Sequence, residues 1–145
     1  MNYEKILVPT DFSASAQEAV DYASRLAHAS GAELLFLHVE AVPDIPGADD
    51  DVEDANLPIL EKRLKEIEPQ MSGIRFEHRL VIGHPSDAIL RVAEKDAFDL
   101  IVMGLHGQTD SPDAAMGAVA RGVVDRSPKP VLLVKVPSRN VTPVA

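Results

Sequence analysis

This 145-residue sequence predicts a doubly wound α/β domain built on a parallel sheet. Three observations point there. Short apolar runs alternate with amphipathic segments along the whole chain, giving strand, helix, strand in repetition. The run Leu34-Leu35-Phe36-Leu37 is apolar at every position, as expected of an internal strand buried on both faces. Turn residues such as Pro9, Gly31, Gly83 and Gly104 punctuate the ends of these runs.

Taken in order, Ile6 to Val8 form the first strand, and Pro9-Thr10-Asp11 turns the chain off its end. Ser13 or Ser15 caps the helix that follows, with Ser15 and Glu18 at capping-box spacing. Ala16, Ala19, Val20, Ala23, Leu26 and Ala27 recur on one face until Gly31 stops the helix. Leu34 to Val39 is the internal strand, on which His38 reads as a hydrogen-bonded core histidine.

Residues Ala41 to Asn56, with Pro43, Pro46, Gly47 and acids from Asp49 to Asp54, read as an exposed loop entering a second helix. Asp49, Asp50 and Asp51 read as solvated acids, because no glycine or terminal glutamate completes a calcium loop around them. The second helix is expected to bury Leu57, Leu60, Leu64, Ile67 and Met71. From Ile74 to Ile82 polar and apolar residues alternate, with Arg75, Glu77 and Arg79 on one face, as in an edge or half-exposed strand.

Gly83-His84-Pro85 opens a third helix that buries Ile89, Val92 and Ala93, and the strand Leu100 to Met103 follows. A helix starting at Gly117 is expected to turn Val119, Val123 and Val124 inward. The strand Val131 to Val136 closes the domain.

A hydrophobic content of 46% over 145 residues suits one globular domain spanning residues 1–145. The chain has no cysteine, so disulfides and thiolate metal sites are excluded. The start, MNYEKILVPTDF, runs straight into a strand with no signal peptide, and a cytoplasmic location is expected. A net charge of −9 argues against nucleic acid or anionic membrane as a partner, since either needs clustered Lys and Arg.

The stretch from Asp99 to Lys135 carries the functional signal. Gly104 ends a strand, Gly107 follows, nine residues intervene, and Gly117 opens a helix. Such a layout lets backbone N–H groups and a helix N-terminus approach an anion. In a doubly wound sheet ligands sit at the carboxyl ends of the strands, where Asp11, Val39 and Gly104 fall.

Competing readings fail on particular residues. No G-x-G-x-x-G follows the first strand, no acceptor aspartate ends the third, where Gly83-His84 stands, and no lysine-bearing phosphate loop exists. No nucleophile, base and orienting group fall at related strand ends, so no catalytic residue and no metal site are assigned. A binding protein is expected, with weak ATP hydrolysis left open.

The segments ILVPTDFS, LLFLHVE, GHPSDAI, DLIVMGLHG and GAVARGVV followed by PVLLV occur in an order and spacing that resembles the universal stress protein family. The resemblance covers nearly the whole chain. It implies a flavodoxin-like, adenine nucleotide alpha hydrolase-like sheet of strand order 3-2-1-4-5 with helices on both faces. It also implies a stress-response homodimer and, in one branch, bound ATP or AMP. Carried over by position, Pro9, Thr10 and Asp11 match the turn that contacts adenine, and Val39 the backbone that receives base or ribose. Met103, Gly104, His106 and Gly107 match the ribose and phosphate turn, and Gly117, Ala118 and Val119 the helix start over the phosphates. For Asp11 the alternative is a helix-capping aspartate. Arg121 either reaches a phosphate or pairs with Asp125.

Two features depart from the nucleotide-binding pattern. Ala118 stands where that branch carries serine or threonine, and the loop Gln108 to Asp113 has two acids and no base. Asp110 and Asp113 then either point to solvent, with AMP tolerated better than ATP, or bridge to phosphate through Mg²⁺. In a sheet of that order the last strand is an apolar edge that a partner should cover, and the resemblance implies dimer pairing through Val131, Leu132, Leu133, Val134 and Val136. Two functions follow: a nucleotide-binding stress-response dimer, or a nucleotide-free dimeric module that engages an unidentified protein.

Overall fold

The computed structural model describes residues 3–41, 53–107 and 116–137. Asp49, Asp50 and Asp51, and the stretch Gln108 to Asp113 with Asp110 and Asp113, lie outside the described residues. The elements run β1 (Lys5–Pro9), α1 (Ala14–Ser30), β2 (Glu33–Ala41), α2 (Glu53–Lys65), β3 (Phe76–Gly83), α3 (Pro85–Lys95), β4 (Leu100–Gly104), α4 (Ala118–Arg126) and β5 (Val131–Val134). The sheet is parallel in the order β3-β2-β1-β4-β5. It is the flavodoxin-like arrangement that the sequence implied.

Period-2 alternation divides the central strands between two cores. Ile6, Val8, Leu34, Phe36, Leu100 and Val102 face α1 and α2, with Val20, Ala23 and Leu64 packed on them. Leu7, Leu35, Leu37, Ile101 and Met103 face the other way, toward Ile89 and Ala93 of α3 and Ala120 and Val123 of α4. Each of these strand side chains is buried, so β1, β2 and β4 had to be apolar throughout.

Several local expectations are corrected. Ser13, not Ser15, caps α1, its side chain accepting from the Ala16 N–H. Ser15 is buried, and its hydroxyl donates to the Val134 carbonyl, which leaves no capping box with Glu18. α2 already begins at Glu53, inside the segment expected as loop, and stops at Lys65. The Ile67 N–H turns back to the Leu64 carbonyl at 3.0 Å, a tighter i−3 closure, and Pro69 bars further helix. Leu64 is buried and Ile67 still packs on the core, but Met71 is exposed.

In α4 the buried residues are Ala120 and Val123, three apart on one face, while Val119 and Val124 flank that face and are each 39% exposed. β3 starts at Phe76 rather than Ile74 and lies at the sheet edge as expected. β5 ends at Val134, so Val136 lies past the strand and is exposed.

Two connections set the register of β4. The Asp99 carboxylate accepts from the Glu4 and Lys5 N–H groups at 2.8 and 2.9 Å, tying the start of β4 to that of β1. Just before it, α3 closes in a Schellman motif: the Phe98 N–H bonds the Ala93 carbonyl and the Ala97 N–H the Glu94 carbonyl. Ala97 therefore adopts φ +54, a position where glycine would be unstrained.

Replacing Ala97 with glycine is expected to stabilise the fold by about 1 kcal/mol, read as a higher urea midpoint with unchanged slope. Hydrogen bonds from the Lys5 and then the Glu4 amides hold the Asp99 carboxyl below its ordinary pKa. The stability this group contributes is present in full above about pH 4 and lost as pH falls through the lowered folded value. Asp99→Asn should therefore be less stable than the parent at neutral pH, and the gap should narrow on acid titration followed by circular dichroism.

Candidate functional site

Beyond the carboxyl ends of β1, β2 and β4, at the point where the chain reverses its direction of winding, the structure opens a cavity of about 120 Å³. Pro9, Thr10 and Asp11 form one wall, Leu37 and Val39 the next, and Met103 to Gly107 the floor. Gly117, Val119 and Ala120 close the side toward α4, and Ala16, Pro85 and Ile89 fill the corners. Of the residues carried over from the sequence, Ala118 alone does not line the cavity; it is exposed on the first turn of α4. Ala16, Leu37, Leu105, Pro85, Ile89 and Ala120 were missed. For Pro85 and Ile89 a signal existed, because α3 starts at a strand end.

The wall is made by close backbone approach. At Gly104 a Cβ would stand 2.7 Å from Ser15 Oγ, 2.9 Å from the Ser15 carbonyl carbon and 3.0 Å from the Ala16 nitrogen. β4 can thus end directly against the first turn of α1 only because this residue has no side chain. Ser15 Oγ then donates to the Val134 carbonyl at 2.9 Å and receives the His106 N–H at 3.4 Å. The Leu105 N–H reaches the same Val134 carbonyl, and the Leu105 carbonyl accepts from the Gly117 N–H, both at 2.8 Å.

α4 enters the cavity without a side-chain cap at Gly117. Its first-turn amides and the helix dipole therefore present partial positive charge to whatever lies there. Gly122 sets the position of that helix, because a Cβ on it would come within 2.9 Å of Ser86. Arg126 then bridges to Asp87 at 2.6 Å and to Ser86 at 2.9 Å, and the guanidinium beside Asp87 lowers its pKa.

Among the described residues the ionisable side chains of the wall are Asp11 and His106, and no lysine or arginine lines it. Among the described residues no three His, Asp or Glu side chains converge as metal ligands, and Arg121 forms no ion pair with Asp125. Asp11 lines the cavity, and its Oδ1 accepts from the Ser13 N–H at 3.0 Å, so the carboxylate shapes its own turn. The cap of α1 belongs to Ser13, not to Asp11.

The Thr10-to-Ser13 turn is strained. Phe12 has φ +66, a left-handed conformation that costs a bulky residue about 1–3 kcal/mol. Behind the turn His38 is buried as expected, with Nδ1–H donating to the Thr10 carbonyl at 2.7 Å and Nε2 3.1 Å from Glu40 Oε2.

The family model described as the universal stress protein family matches residues 2–135. Universal stress protein MJ0577 of Methanocaldococcus jannaschii is 30% identical, the match covering 92% of this chain and 95% of the relative. The solved structure of hypothetical protein MJ0577 superposes with a TM-score of 0.84 at 28% identity, covering 95% of this chain and 99% of that one. A universal stress protein solved in complex with cAMP superposes with a TM-score of 0.70 at 32% identity, covering 93% and 98%.

Gly104→Ala is expected to lower stability by about 1–3 kcal/mol in chemical denaturation. Ser15→Ala should not rescue it, because the contacts to the Ser15 carbonyl carbon and the Ala16 nitrogen are with backbone.

Proposed function

The chain belongs to the universal stress protein family, and from that premise we propose that it binds an adenine mononucleotide in the strand-end cavity and works as a stress-response regulator rather than an enzyme. The observation that carries this reading is the cavity itself: an apolar slot beside Asp11 and Val39 that leads to glycine-lined backbone and the uncapped start of α4. The relative solved with cAMP supports a ligand that joins one adenine to one phosphate. The base lies between Asp11 and Val39, and the phosphate faces the turn Gly104 to Gly107 and the first turn of α4.

ATP is the weaker ligand. A helix N-terminus supplies roughly half an elementary charge, and among the described residues no Lys or Arg of the wall offsets the further phosphates in a chain of net charge −9. Ala118 favours a second reading, a nucleotide-free dimeric module, because the hydroxyl that would hold a phosphate is missing. In both readings the protein is a cytoplasmic homodimer that engages a protein partner. Support for the dimer comes from β5, a half-exposed apolar edge followed by exposed Val136.

Calorimetric titration of nucleotide-stripped protein should give micromolar to sub-millimolar binding of AMP and cAMP, with ATP weaker. Ala118→Ser, at an exposed position beside the cavity on the first turn of α4, should tighten AMP by at most about ten-fold, the value of a hydrogen bond to a charged group. Absence of heat with all three nucleotides from folded protein selects the module reading, and ATP affinity that climbs steeply with Mg²⁺ points to Asp110 or Asp113 as a bridge. Phosphate release from ATP should stay at background.

Light scattering at micromolar concentration should give twice the chain mass, and Val136→Lys should shift it toward the monomer. A variant that stays fully dimeric would place the interface elsewhere.

A further inference from the structure

Phe12 neighbours Asp11 but does not line the nucleotide cavity. It faces a polar cleft on the other side of the turn, with Thr10, Ser13, Gln17 and Arg63. Its ring packs against the core beneath α1 and α2 and touches two further groups: the His38 ring centroid lies 4.6 Å away at a 42° tilt, and the Arg63 guanidinium carbon sits 4.4 Å from the Phe12 centroid. Its backbone, at φ +66, is gripped by two side chains of the same turn. Thr10 Oγ1 accepts from the Phe12 N–H at 3.1 Å, and Asp11 Oδ1 from the Ser13 N–H at 3.0 Å.

Glycine would occupy this conformation without penalty, whereas phenylalanine does so against its preference. The residue type therefore has to be explained by the ring. Relaxation of position 12 to right-handed backbone would rotate the peptide that joins it to Asp11 and carry the carboxylate away from the cavity. The contacts of the ring with Arg63 and His38 oppose that relaxation, and His38 adds its own bond to the Thr10 carbonyl.

We propose that Phe12 is a positioning residue for the nucleotide site: held by its contacts with Arg63 of α2 and His38 of β2, its ring locks the left-handed turn that presents Asp11 to the base. This rests on the reading of the cavity as a nucleotide site. It makes α2, whose Arg63 lies outside the cavity wall, a determinant of affinity through one aromatic ring.

The test compares Phe12→Ala, Phe12→Gly, Phe12→Tyr and Arg63→Met by AMP calorimetry and by amide hydrogen exchange without ligand. A ring that only fills space predicts glycine as the worst replacement, since it leaves the largest void and the most flexible unfolded chain. A ring that locks a left-handed turn predicts the reverse order. Phe12→Ala should bind AMP about ten-fold more weakly than the parent and Phe12→Gly only about two- to three-fold, because glycine keeps the turn without the clamp. Phe12→Tyr should match the parent, and Arg63→Met should fall between. AMP binding by Phe12→Ala equal to the parent, or weaker binding by Phe12→Gly than by Phe12→Ala, overturns the proposal.

Hydrogen exchange separates the two ideas. If the parent binds no AMP, the nucleotide reading fails, and the clamp is judged on the Phe12-to-Ser13 amides alone. Faster exchange there in the alanine variant than in the glycine variant supports the clamp, and equal exchange overturns it.

Discussion

The contact on which the site depends is the one between Gly104 and Ser15. A parallel strand normally ends under a loop, but here β4 ends against the backbone of α1, at a distance that no side chain at residue 104 would allow. The approach brings the Ser15 hydroxyl within reach of the Val134 carbonyl, which is also the acceptor for Leu105. The end of β5, the turn after β4 and the first turn of α1 are thereby fixed to one another. The cavity floor from Met103 to Gly107 is the upper surface of that junction.

The sheet makes the same junction a site rather than a packed end. β1 lies at the centre, with β2 on one side and β4 on the other, so helices depart to opposite faces from adjacent strands. The crevice left between them is walled by strand ends and helix starts, the first turn of α4 among them. Pro85 at the start of α3 and the uncapped start of α4 both point into it. The Gly122 contact with Ser86, supported by the Arg126 bridge to Asp87, keeps those two helix starts together. An exposed ion pair of this kind contributes little stability, so the close helix contact does most of the positioning.

What could be read in the sequence was set by how far each signal reaches. β1, β2 and β4 were legible because burial on both faces demands unbroken apolar runs, and the three glycines were legible as a group because they bracket strand and helix ends. The extent of α2 was not, since the spacing of Leu57, Leu60, Leu64, Ile67 and Met71 stays helical past Lys65, where a local i−3 closure and Pro69 end the helix. Choosing the inward face of α4 by apolarity favoured valines, but the helix turned small Ala120 to the cavity and left Val119 and Val124 at the flanks. Ser13 was legible as one of two candidate caps, but the role of the other, Ser15, was not, because its partner is 119 residues away at Val134. The left-handed backbone of Phe12 left no mark at all, because nothing in the residue type announces it.

The Val134 carbonyl carries the argument one step further. It accepts from Ser15 and Leu105 on the cavity side, and it belongs to the last residue of β5, the edge strand. The turn that faces the cavity and the edge that faces solvent therefore share a single acceptor. A change in the turn that lengthens the Leu105 bond has to be met by Ser15 or by movement of the strand end, since a half-buried carbonyl left with poorer donors is costly. Site and edge meet at one carbonyl, and the approach that joins them depends on the absent side chain at Gly104.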